Sequence, residues 1–251
     1  MADVLPLLDV RGLSKRFGGL QAVRDLSFTL REGEIVSLIG PNGAGKTTVF
    51  GLLSGFHVPD GGEIRLRGRS LVGLKPHAIC ALGLARTFQI VRPFPHLSVL
   101  ANVEVGALAR EPRRPQAQAH ARAVLEQVGL AVKMEQPAGS LTLAERKRLE
   151  LARALATCPS LLLLDEVMAG LNAAETERIV ELIRAINGTG ITILLIEHVM
   201  RAVMSLSARV IVINYGETIA EGLPREVAND PRVIEAYLGD PGEAHVGAAP
   251  A

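Results

Sequence analysis

Gly40-Pro41-Asn42-Gly43-Ala44-Gly45-Lys46-Thr47 decides how this chain is read. It fits the pattern G-x-x-x-x-G-K-[ST] at every fixed position. Before it lies Glu34 to Ile39, a short apolar stretch with two Ile and a Val, read as a buried strand. After it, Thr47 to Leu53 reads as a helix. A phosphate-cradling loop needs this strand–loop–helix setting. Its glycines let successive backbone N–H groups converge on phosphate oxygens. The helix N-terminus adds about half a positive charge at the same point. Lys46 is expected to reach the outer phosphates of a nucleoside triphosphate, and the Thr47 hydroxyl to ligate Mg²⁺. Gly40, Pro41, Asn42, Gly43, Ala44, Gly45 and Thr48 complete the expected nucleotide-binding set.

A second motif answers the first. Leu161-Leu162-Leu163-Leu164-Asp165-Glu166 is an apolar strand that ends in two acids. A phosphate-loop enzyme uses a carboxylate at a strand end to support Mg²⁺, and Asp165 fits that need. Glu166, the next residue, is placed to act as general base on the attacking water. Alone, the pair would read as a solvated acidic turn; beside the phosphate loop the chemical reading prevails.

The rest of the chain alternates strands and helices. Leu7–Val10, Leu26–Leu30 and Glu63–Arg67 read as strands of a β-rich N-terminal part, with turns at Arg31–Gly33 and Pro59–Gly62. Residues 76–83 read as helix and Leu84–Phe88 as a strand ending at Gln89. From about 90 to 155 the β signals fade. Helical spacing appears at Ser98–Ala109, Ala117–Val128 and Thr142–Ala156, with Glu111–Pro115 as an exposed breaker whose arginines face solvent. Strands resume at Leu161–Leu164, Ile191–Ile196, Arg209–Ile213 and Thr218–Ala220, with a helix at Ala173–Ile186 between the first two. The pattern predicts an α/β fold: a mainly parallel core sheet, an antiparallel β part and an inserted helical subdomain. One domain over residues 1–239 and a disordered tail over 240–251 are expected.

Bulk properties remove several function classes. A net charge of +1, 3% aromatic residues and no Trp argue against nucleic-acid binding by a basic face or by base stacking. Cys80 and Cys158 have no metal-ligand spacing. They could form one disulfide, but a nucleotide-binding chain without a secretory start is expected to be cytosolic and reduced. No apolar run approaches the ~20 residues of a membrane span, so work at a membrane would be done from outside the bilayer.

The order of phosphate loop, Gln89, helical insert, acidic strand end and His198 after Ile191–Glu197 resembles the ATP-binding-cassette (ABC) ATPases over roughly residues 7 to 239. Leu13–Val23, Ile35–Gly40, Ala85–Gln89, Ala169–Asn172 and Glu235–Gly239 resemble the ATPase subunits of bacterial branched-chain amino acid importers more closely. The resemblance implies ATP and Mg²⁺ as ligands and ATP hydrolysis that energises uptake. It implies as partners two permease subunits, a second ABC ATPase and an extracytoplasmic solute-binding protein. The implied location is peripheral, on the cytoplasmic face of the inner membrane, with the chain soluble when alone. Phe17 matches the aromatic residue that stacks on adenine, although a Phe beside Gly18-Gly19 also suits ordinary core. Gln89 matches the glutamine that senses the γ-phosphate and Mg²⁺ and couples to the permeases. His198 matches the histidine that contacts the γ-phosphate and orients water.

The chain departs from the family at its signature loop, usually Leu-Ser-Gly-Gly-Gln, which here reads Leu141-Thr142-Leu143-Ala144-Glu145. Thr142 and Glu145 have capping-box spacing and predict a sharp helix start. Leu143 adds bulk where glycine allows close approach, and Glu145 is expected to set a negative charge near an anion. Asn172 stands where the family usually has Asp, and Val167 where it usually has Pro. Two other readings stay open here: a nucleotide-gated subunit with weak hydrolysis, and a soluble ABC ATPase without a transport role. A single phosphate loop and the lack of a heptad array disfavour the latter.

Overall fold

The computed structural model describes residues 5–89 and 91–238. In chain order it runs β1 Leu8–Phe17, β2 Leu20–Leu30, β3 Ile35–Ile39, α1 Lys46–Leu53, β4 Gly61–Leu66, β5 Arg69–Ser70, α2 Pro76–Ala81 and β6 Leu84–Arg86. The helical insert follows as α3 Val99–Ala107, α4 Arg114–Gln127 and α5 Leu143–Leu155. The chain then returns through β7 Leu161–Asp165, α6 Ala173–Gly188, β8 Thr192–Ile196 and α7 Met200–Leu206. It finishes with β9 Arg209–Asn214, β10 Glu217–Gly222, α8 Pro224–Ala228 and α9 Pro231–Leu238. The expected tail at 240–251 lies outside the described residues.

Two sheets form. The antiparallel one has the order β2-β1-β4-β5, and the core sheet has the order β10-β9-β3-β8-β7-β6. Among the described residues, β10 alone in the core sheet runs antiparallel to its neighbour. Residues of β3, β7 and β8 are buried at every position, which is why their sequences are continuous apolar runs rather than alternations. Apolar residues of the antiparallel sheet, α1 and one face of the core sheet share one core cluster. α1 presents Val49, Phe50, Leu52 and Leu53 to it. The helical insert packs with the other face of the core sheet in a second cluster.

Several expectations are corrected. β1 runs on to Phe17 because bulges absorb residues that break the alternation; register shifts fall between Val10 and Leu13, and Gly12 there has φ 58°. β6 stops at Arg86 rather than Phe88. The Phe88 N–H leaves the ladder and donates to the Glu150 carboxylate at 2.5 Å. α4 starts at Arg114, not Ala117, since Pro115 is tolerated in a first turn. Arg114 also pairs with Glu104 at 2.8 Å. Helices α7, α8 and α9 had no sequence forecast.

Glu150 joins the helical insert to the end of β6 and yields a pH prediction. Burial raises its carboxyl from 4.5 to about 7, against the opposing pull of the Phe88 N–H, Lys147 and Arg153. The native state therefore holds a proton that the unfolded chain releases. This contribution to stability is full below about pH 4.5 and lost as pH rises through about 7. Glu150→Gln, which keeps an acceptor for Phe88, should match the wild type near pH 4.5. Above pH ~7 it should be the more stable form by up to about 3 kcal/mol. Urea unfolding of both proteins across that range checks this; a stability difference that does not vary with pH would refute it.

Candidate functional site

The phosphate loop is shaped by contacts from two hairpins. Gly40, with φ 154°, could not carry a side chain, because a Cβ would strike the Ile213 carbonyl. Gly45, with φ 103°, stands at the N-cap of α1, and a Cβ there would strike the Ala22 carbonyl. The Gly216 N–H, in the turn between β9 and β10, donates to the Ala44 carbonyl at 3.0 Å. Lys46 folds back over the loop, and its Nζ donates to the carbonyls of Gly40 at 2.7 Å and Pro41 at 2.8 Å. Burial lowers its pKa, while Glu166 and Asp165 act to raise it.

The acids stand where β7 ends. Asp165 closes the strand, and Glu166 takes φ 47°, a left-handed conformation uncommon outside glycine. Such strain is found at functional turns where surrounding bonds hold it. Here the Glu166 N–H donates to the Ile196 carbonyl at 2.9 Å. Gln89 Nε2 donates to Glu166 Oε2 at 2.6 Å, and His198 Nδ1 lies 4.0 Å from the same oxygen. The three expected catalytic side chains are thus brought together around one carboxylate. Thr47, Gln89 and Asp165, the residues expected to serve Mg²⁺, all line one cavity of about 730 Å³. A hydroxyl, an amide and a carboxylate suit that hard cation.

Phe17 lies at the tip of the first hairpin, 42% exposed, in edge-to-face contact with His57 at 5.2 Å and with Lys15 Nζ 5.4 Å from its ring. It is not core. Cys80 and Cys158 are both free thiols.

Four charged residues of this region were missed in the sequence. Arg86 bonds Asp165 Oδ2 at 2.8 Å in a nearly buried pair and lies against the rings of Phe50, Phe56 and Phe88. Burial pushes the Asp165 carboxyl up, while the Arg86 guanidinium holds it down. Lys147 donates to the carbonyls of Gln89 and Glu166, both at 3.1 Å. Glu150 accepts from Phe88, as above. Glu197 Oε1 accepts the Met168 N–H at 2.9 Å, and burial raises its carboxyl. One signal was available: Lys147 and Glu150 each stand one helical turn before Leu151 and Ala154, on a buried stripe.

The signature segment departs from one expectation. The capping box forms as forecast: the Glu145 N–H donates to Thr142 Oγ1, and the Thr142 N–H donates to Glu145 Oε2 at 3.0 Å. The Glu145 charge is not left facing an anion, because Lys133 Nζ meets Oε1 at 2.6 Å and holds its carboxyl below the usual range. Leu143 remains 39% exposed and is in position to crowd any Cβ placed at Gly170.

Lys46 supplies the prediction for this geometry. Lys46→Ala should weaken ATP binding by roughly 10- to 100-fold, the worth of the charge-assisted hydrogen bonds lost to phosphate. Hydrolysis should disappear. Equilibrium titration of the purified variant with ATP checks this, and wild-type affinity would sink the phosphate-loop assignment.

Comparison with known proteins agrees with this arrangement. A family model described as ABC transporter matches residues 23–169. A second, described as Branched-chain amino acid ATP-binding cassette transporter, matches residues 217–243. The chain is 48% identical to the high-affinity branched-chain amino acid transport ATP-binding protein LivG of Salmonella typhimurium, covering 94% of this chain and 98% of that protein. It is 43% identical to BraF of Pseudomonas aeruginosa over the same shares. The ADP conformation of an ATP-binding cassette of an ABC transporter superposes with a TM-score of 0.86 at 28% identity, covering 94% of this chain and all of the other. With its phosphate loop, acidic strand end, glutamine and histidine assembled on this fold, the chain belongs to the ABC transporter family of ATPases.

Proposed function

We propose that this chain is the ATP-hydrolysing subunit of a bacterial importer for branched-chain amino acids or related small solutes. Similarity to LivG and BraF along nearly the whole chain supports the solute class. The observation that carries the chemistry is the convergence of Gln89 and His198 on the Glu166 carboxylate.

The backbone N–H groups of Gly43 to Thr48 and the start of α1 bind the phosphates. Lys46 leaves the Gly40 and Pro41 carbonyls and donates to the outer phosphate oxygens. Thr47, Gln89 and Asp165 would hold Mg²⁺, which when bound offsets phosphate charge. Phe17, exposed at the hairpin tip, offers its ring to the adenine. Glu166 accepts a proton from the attacking water, and His198 orients that water and contacts the γ-phosphate. Gln89 must part from Glu166 before the carboxylate can act as base, so a movement of the segment after β6 gates the chemistry.

The working assembly has two permease subunits, a second ABC ATPase and an extracytoplasmic solute-binding protein, with this chain at the cytoplasmic face of the inner membrane. No helix among the described residues is long and apolar enough to cross a membrane. The cavity between core and helical insert is lined by Phe56, Phe88, Arg92, Val105 and Arg153, and Phe94 stacks on Arg153 at 5.2 Å. Permease docking is assigned to this side, close to Gln89.

Two outcomes test the reading. Glu166→Gln should keep ATP binding and lower turnover of the assembled transporter by roughly 10²-fold. Where the second ATPase carries an intact signature, that change should cost far more than its counterpart in the partner. The slow site would be the one closed by Leu143, since ~1 Å of misplacement can cost about 10²-fold. Equal losses from the two changes would show the altered signature to be competent. Separately, cell fractionation should find the chain at the membrane when its permeases are co-expressed and in the soluble fraction without them; equal cytosolic recovery would contradict docking.

A further inference from the structure

Lys147 lies five residues after Thr142 on α5, yet its ammonium turns away from the signature segment and into the site. It is 3% exposed. A buried ammonium is costly unless its donors are satisfied and opposite charge is near. Two of its three N–H groups are bonded and acids stand near it, while burial still lowers its pKa. Its Nζ donates to the carbonyls of Gln89 and Glu166, and the acids Glu150, Glu197, Glu166 and Asp165 stand around it. Glu150, one turn further along α5, takes the Phe88 N–H. The backbone before and at Gln89 is therefore gripped by two side chains of one helix, and one of these also grips Glu166.

We infer that Lys147 is a positioning residue for hydrolysis, tying the backbone of Gln89 and Glu166 to the helix that begins at the signature. An aliphatic side chain of similar length would fill the space and hold neither carbonyl. The inference rests on Glu166 as the base.

The test uses the full chain co-expressed with its permeases. Lys147→Met should lower kcat for ATP by roughly 10- to 100-fold, as a small displacement of the base would. The affinity for ATP, read by equilibrium binding, should stay within about threefold. Lys147→Arg, which keeps a cation with several donors, should recover kcat to within about threefold. Lys147→Met added to Glu166→Gln should lower the residual rate by less than about twofold, because residues that act as a unit are not additive. If Lys147→Met does not fold, Lys147→Gln, which removes the charge and keeps a shorter amide with two donors, replaces it in the same measurements. A kcat retained within about twofold in Lys147→Met would overturn the inference. So would kcat, affinity and thermal stability falling together without rescue by arginine, the mark of a purely structural residue. Unchanged turnover in Glu166→Gln alone would remove the base assignment itself, and the inference with it.

Discussion

The parallel pairing of β3, β8, β7 and β6 is the constraint on which the site depends. Parallel neighbours end at the same edge, so whatever follows each strand is delivered to one place. The phosphate loop follows β3, His198 follows β8, Glu166 follows β7 and Gln89 follows β6. Register makes the delivery tight. Asp165 pairs with Ile196, which sets the two acids beside Glu197 and His198, and Arg86 pairs with Leu163, which sets its guanidinium two residues from Asp165. A slip of one residue between β7 and β8 would send Asp165 to the opposite face of the sheet. The apolar runs that fill these strands therefore set the geometry of the candidate site as well as stability.

Charge is concentrated where the helical insert meets this edge. Arg86, Lys147, Glu150, Asp165 and Glu197 are buried or nearly so, and each bonds a backbone group or an opposite charge. Such groups add little net stability over apolar residues of the same size, yet losing one partner of a buried pair costs about 3–5 kcal/mol. An apolar contact here would let the insert slide. Directional bonds specify how it sits, and they end on the segments that carry Gln89 and Glu166. The rings of Phe56 and Phe88 packed against Arg86 line the cavity beside the helical insert, and Arg86 links them to Asp165.

Much of this was legible because local rules governed it. The phosphate loop, the acidic strand end and the capping box at Thr142 are short-range patterns, and each appears where the sequence placed it. The strand limits of β1 and β6 were less legible, because a bulge at Gly12 and a carboxylate 62 residues from Phe88 decided them. Lys147 lay hidden for the same reason. In Glu145-Arg146-Lys147-Arg148 it reads as one more charge on a solvated face, and its partners are 58 and 19 residues away. Gly-free stretches such as Met200–Leu206, with no N-cap side chain, carry little signal of their own and are helical through packing.

The altered signature shows how one neighbour reverses an electrostatic argument. By sequence Glu145 sets a carboxylate at a helix N-terminus where the family has an amide, and repulsion of phosphate follows. In the fold, that carboxylate is spent on the Thr142 N–H and on Lys133, which arrives from a short 3₁₀ turn at Ala131–Lys133. The pair is close to neutral, and the helix dipole still points its positive end outward. What distinguishes this segment from the glycine-bearing family pattern is then steric. Leu143 is the bulk that remains at the exposed start of α5, set against the loop at Gly170. A rate deficit at the site closed by this segment would therefore respond to shortening Leu143, and would be little changed by neutralising Glu145.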